Sequence, residues 1–201
     1  MKEEKAIQLI LQFNNKGRII MIKLIGTIGV IIFLSGSATA TDFFVEVKAR
    51  YFSPSEQAFK DIYGGGVMYG AEATVGIWRN LEFWFGGSYF SKKGKLTFTK
   101  EETKLKIMPI GGGLRYILPT GRLNLYAGLG LNYYQYKETN PIGEASKGGL
   151  GYVGKIGSFV KITGGLLVDV YADYSYCKMK PDYYDINIGG FEAGIGIGYK
   201  F

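Results

Sequence analysis

The sequence predicts an all-β protein: eight antiparallel strands meandering up and down into a closed transmembrane β-barrel, preceded by a cleavable signal peptide. Three observations predict it. Apolar residues alternate with glycine or polar residues through eight successive segments, the period of a strand whose side chains point to opposite faces. The connections between segments alternate short and long, as in membrane-spanning barrels. The apolar positions carry no charge in any segment, whereas the other parity is rich in glycine and in charges of both signs.

Residues 1–40 stand apart from the barrel. From Met21 the text runs through Lys23, an apolar stretch from Leu24 to Leu34 and small residues ending Ala38-Thr39-Ala40, the layout of a secretory signal with cleavage after Ala40. That stretch is 11 residues long, and a spanning helix needs about 20, which argues against an uncleaved anchor. Translation is expected to start at Met21, with residues 1–20 an extension, and the mature domain is 41–201. The formal charge of +7 then falls, since 24 basic and 17 acidic residues become 19 and 15. That mild balance, with no basic and aromatic cluster, gives no reason to expect nucleic acid.

The strands follow in order. Asp42–Phe52 sets Phe43, Val45, Val47, Ala49 and Tyr51 against Glu46, Lys48 and Arg50. Val67–Trp78 sets Tyr69, Ala71, Ala73, Val75 and Ile77 against Gly70, Glu72, Thr74 and Gly76. After a turn at Arg79-Asn80, Leu81–Phe90 sets Leu81, Phe83, Phe85 and Tyr89 against Glu82, Trp84, Gly86 and Ser88. Lys106–Leu118 carries Arg115 on its polar side and turns at Pro119–Arg122 into Leu123–Tyr136. Leu150–Ile162 turns at Thr163–Gly165 into Leu166–Cys177, which carries Asp169 and Asp173. The last segment, "GGFEAGIGIGYKF", completes the eight. The four remaining connections, near Ser53–Gly66, Ser91–Leu105, Lys137–Gly149 and Lys178–Asn187, are expected as long loops, and no helix is expected after Thr41.

Alternation alone does not say which face is inside, because a soluble binding barrel shows the same pattern with its apolar face inward. Glycine on the polar parity favours a cramped interior, where it makes room for larger neighbours. The charges there balance: Glu46, Glu72, Glu82, Asp169, Asp173 and Glu192 against Lys48, Arg50, Arg115, Lys155, Lys161 and Lys200. They sort into two neutral layers, with Glu46, Glu82, Asp169, Arg115, Lys161 and Lys200 nearer the short turns. Aromatic residues gather at segment ends, as interfacial girdles do.

With its alternating final strand ending on Phe201, the mature chain resembles the eight-stranded outer-membrane β-barrels of Gram-negative bacteria, the OmpA/OmpX/OmpW-like small porin group. The resemblance implies an outer-membrane location and a monomer touching outer-membrane lipid and lipopolysaccharide. It also implies that Ala193, Ile195, Ile197, Tyr199 and Phe201 are read by the barrel-assembly machinery. The function expected is non-enzymatic, a structural or adhesive surface barrel, with a narrow porin-like channel as the alternative and a soluble lipocalin-like barrel behind it.

Other motifs carry less. "GLGYVGKI", Gly149–Ile156, mimics a phosphate-binding loop, but Ile156 stands where Ser or Thr would be needed and no helix follows. The chain has no histidine, the commonest general base, and one cysteine, Cys177, read as a packed thiol. Glu101 with Glu102, and Asp182 with Asp185, are read as solvated loop carboxylates; no metal or cofactor is expected. Lys92, Lys93 and Lys95, in the second long loop, are candidate contacts for lipopolysaccharide phosphates.

Overall fold

The computed structural model describes residues 42–95, 101–141, 143–180 and 185–201, so the signal peptide and extension expected over 1–40 lie outside the described residues. Eight strands close on themselves: β1 (Phe43–Pro54), β2 (Gly66–Trp78), β3 (Leu81–Lys95), β4 (Glu102–Thr120), β5 (Leu123–Asn140), β6 (Gly143–Thr163), β7 (Leu166–Tyr176) and the final strand β10 (Gly190–Lys200). Each pairs antiparallel with its chain neighbour, and β10 returns to β1, with Val47 opposite Ile197. Closure leaves no edge strand, and every backbone group in the wall can then be satisfied without water.

Four strands run beyond the expected boundaries at the loop end. β3 and β4 continue to Lys95 and from Glu102, while β5 and β6 continue to Asn140 and from Gly143. Hydrophobicity does not mark these extensions because they rise above the apolar belt, where polar residues such as Thr139 and Glu144 pair in register. Two short strands, β8 (Lys178–Met179) and β9 (Ile186–Asn187), form a small hairpin in the last long connection.

A helix also occupies the first long connection, where none was expected. α1 (Gln57–Tyr63) is seven residues long, too short for a periodic pattern to register, and has no side-chain N-cap bond. Tertiary burial holds it instead: Phe59 and Tyr63 descend onto the barrel mouth, where Phe59 lies 6.5 Å from the ring of Phe52. The opposite end is made of tight turns, and Arg79 takes a positive φ of 44° in one of them.

The outer wall is apolar around the barrel, with Val47, Leu129, Ile156, Val170 and Ile195 all exposed. The interior is stratified. Phe52, Met68, Phe90, Leu105, Ile107, Cys177 and Ile188 form an apolar cluster under α1 at the loop end. Phe44, Tyr126, Phe159, Leu167 and Tyr171 form a second toward the turn end. The charges lie between.

Candidate functional site

Strand parity turns Glu46, Lys48 and Arg50 of β1, Glu72 of β2, Glu82 of β3, Arg115 of β4, Lys155 of β6, Asp169 and Asp173 of β7 and Glu192 of β10 into the barrel. Each faces inward because its two strand neighbours face lipid, and each has an oppositely charged partner there. The Arg115 guanidinium donates from Nε and Nη2 to Glu82 at 3.1 and 2.9 Å, from Nη1 to Glu72 at 3.1 Å and from Nη2 to the Thr74 hydroxyl at 2.9 Å. Lys48 Nζ lies 3.0 Å from Glu46, 3.4 Å from Glu72 and 3.3 Å from Asp169. Lys155 pairs with Glu72 and lies 3.8 Å from Asp173. Arg50 bridges Asp173 at 3.3 Å and Glu192 at 2.9 Å and donates to Ser88. Glu72 therefore joins cations from three strands, and the charges form one network rather than two layers.

Two expected members are elsewhere. Lys161 is exposed beside the register shift at Lys161/Thr163 and makes no ion pair among the described residues, while Lys200 pairs with Asp42 at 2.7 Å on the turn-end rim. Both have inward parity, but they lie where the barrel opens, and their long stems let the ammonium reach water. The interior consequently holds six carboxyl groups against four basic side chains, so the expected match of six against six does not hold there.

Aromatic rings complete the site, and their roles were not read from the sequence. Arg115 lies beside the stacked pair Tyr126 and Phe159, 4.9 and 4.7 Å from their centroids; Lys48 stands 4.4 Å from the Tyr171 centroid and Lys155 4.1 Å from that of Trp84. Ring faces stabilise these cations as water would, at about 2 kcal/mol or more when desolvated. The available signal was that Trp84, Tyr126, Phe159 and Tyr171 share the parity of the charges. Inward glycines give the rings their space: a Cβ on Gly157 would come within 2.6 Å of the Tyr126 ring.

Little free volume remains. A cavity of about 30 Å³ sits among Arg50, Glu72, Trp84, Lys155, Asp173 and Glu192, the share of about one water molecule. A vestibule of about 190 Å³ enters from the turn end and reaches Arg115 and Phe159. Above the charges, the mouth is filled by the cluster under α1.

The remaining candidates lie outside this network. Ala193, Ile195, Ile197, Tyr199 and Phe201 are exposed, the first four along the outer side of β10. Lys93 and Lys95 are exposed at the top of β3, but Lys92 alternates inward with Phe90 and is half-buried, so the three lysines do not share a face. Glu102 pairs with Lys93 at 3.4 Å and Asp185 with Lys178 at 2.8 Å, while Asp182 lies outside the described residues. The stretch Gly149–Ile156 lies within β6, and its Lys155 belongs to the ion network. Cys177 is a fully buried free thiol in the mouth cluster.

No family model and no curated protein sequence matches the chain. Solved structures do. OprG of Pseudomonas aeruginosa matches with a TM-score of 0.62 at 17% identity, over 81% of this chain and 96% of its own. Neisserial surface protein A matches at 0.60 and 17%, over 81% and 98%, and outer membrane protein W of E. coli at 0.54 and 16%, over 81% and 98%. At such identities the likeness is one of fold. With its apolar belt outside and ion pairs inside, the chain has the fold of the small eight-stranded outer-membrane β-barrels.

Proposed function

We propose that this barrel is a non-enzymatic, non-conducting element of the outer membrane of a Gram-negative cell, with its turn end in the periplasm and its long connections meeting the exterior. The observation that carries the reading is the filled interior: an apolar plug under α1, a connected ion network and an aromatic cluster follow one another along the bore. Such a core rigidifies the wall and leaves the outer surface and the loop end as the places where the protein meets other molecules. The surface location in the name of Neisserial surface protein A agrees with this assignment. Catalysis is not part of the proposal, because the interior acids and bases are engaged with one another in ion pairs.

Single-channel recording of the refolded chain in planar bilayers tests the reading. The expected result is insertion without discrete openings, and the same silence in a Glu192→Gln, Lys155→Gln double variant, whose apolar plugs remain. Cation-selective openings, as six carboxyl groups facing four basic side chains would favour, would replace this reading with that of a narrow channel.

A further inference from the structure

We propose that the turn-end vestibule is a binding site for a small organic phosphate monoester, with its dianionic head held by Lys161 and Arg79 and its carbon body on an aromatic floor. The vestibule is a recess of about 190 Å³ that ends on Phe44, Phe159 and Leu167 of the second apolar cluster, with Arg115 beside them. That volume exceeds the share of a single water molecule and falls below the range of about 300–1,000 Å³ of drug-sized sites, so it suits a small solute. Its chemistry does not depend on the compartment it faces. With the turn end in the periplasm, as proposed above, the solute comes from there.

Charge decides the sign of that solute. Four basic side chains line the recess, Arg79, Arg115, Lys161 and Lys200, against two acidic ones, Asp42 and Glu82. Both acids are engaged: Glu82 accepts from Arg115 at 2.9 Å and Asp42 from Lys200 at 2.7 Å. Lys161 makes no ion pair among the described residues, and neither does Arg79, whose guanidinium lies 5.3 Å from the Trp78 ring centroid. Two positive charges are thus left without a carboxylate. A phosphate monoester answers both, since it carries about −1.5 to −2 at neutral pH, whereas a phosphodiester carries a single charge.

The neutral donors agree with the charges. Asn80, in the β2–β3 turn, and Asn124, at the start of β5, line the recess half-buried, and neither amide makes a side-chain hydrogen bond among the described residues. The backbone fixes where these donors stand. The Asn80 carbonyl accepts from the Ile117 N–H at 2.8 Å, and the Lys161 N–H donates to the Arg122 carbonyl at 3.1 Å, beside the register shift at Lys161/Thr163. Such irregularities re-aim the side chains they carry. Unengaged donors from the β2–β3 turn, β5 and β6 therefore line one recess, where a tetrahedral head with three free oxygens can meet more of them than a two-oxygen carboxylate. Beneath them the rings of Phe44 and Phe159, 5.3 Å apart and edge to face, leave an apolar seat for a short carbon chain.

Isothermal titration of the folded full chain in zwitterionic detergent, at constant ionic strength, tests this with glycerol 3-phosphate, dimethyl phosphate and phosphatidylglycerol as probes. Glycerol 3-phosphate is expected to bind one to one and at least about tenfold more tightly than the singly charged dimethyl phosphate. Lys161→Gln with Arg79→Asn should weaken it at least about tenfold. Both side chains are exposed, and asparagine tolerates the φ of 44° at position 79, so the fold should survive the change. Lys93→Gln, which removes a lysine paired with Glu102 at the opposite end, should leave binding unchanged. Equal binding of dimethyl phosphate, displacement of the soluble ester by phosphatidylglycerol, or indifference to the double variant would each overturn the proposal. Discrete openings in planar bilayers with tight binding retained would remove the non-conducting reading and leave this site standing; a silent barrel that binds no ester would do the reverse.

Discussion

Arg115 shows at the residue scale how charge is kept inside the barrel. Arg115 is 1% exposed, its guanidinium bound by Glu72, Glu82 and Thr74 and packed beside the stacked rings of Tyr126 and Phe159. An ion pair so buried contributes little compared with a well-packed apolar pair, but removing one partner leaves the other charge stranded, at about 3–5 kcal/mol. Arg115→Met should therefore destabilise the barrel by about that amount, read as a lower urea midpoint for the refolded protein in detergent. Arg115→Lys should recover only part of the loss, because a single ammonium does not reproduce the planar fork that serves Glu72 and Glu82 together. An unchanged midpoint for Arg115→Met would mean that the network does not hold the wall. Lys161 and Lys200 teach the complementary point: parity assigns a side, but depth along the bore decides whether a charge on that side is buried.

The element with the least signal in the sequence is α1, and it closes the mouth. Its seven residues are held by Phe59 and Tyr63, and Tyr63 also reaches Thr103 on β4 at 3.0 Å. In the same cluster Cys177 is completely buried, which makes its thiol a reporter of whether the lid is seated. Phe59→Asp should lift α1 from the mouth and speed modification of Cys177 by a membrane-impermeant thiol reagent at least about tenfold, while the barrel stays folded. Equal labelling rates in the variant and the parent would show that the strands alone seal the chamber. The wall strands behave differently from α1. Their two-residue period survives the change from apolar to polar neighbours, but hydropathy ends at the belt, so β5 and β6 were legible only up to Tyr136 and from Leu150.

At the scale of the whole molecule, the question is which solvent surrounds the barrel. Val170 lies midway along β7 on the outer face, between Ile195 and Ser158 of the neighbouring strands. Val170→Lys should cost about 2–4 kcal/mol and block assembly into vesicles, whereas Leu166→Lys, at the turn-end start of the same strand, should cost about 0–1 kcal/mol. Equal effects of the two substitutions would remove the depth dependence that a bilayer imposes. The sequence by itself determined the strands, their parity, the closed eight-stranded architecture and the apolar belt, because each rests on a short-range period that neighbouring residues carry together. Only the tertiary structure decided that Glu72 joins Lys48, Lys155 and Arg115, that Lys161 and Lys200 stay at the rim, and that Lys106 is set against Lys137. Those contacts depend on closure and register, which bring together residues distant in the chain at a common depth, and no local pattern encodes depth.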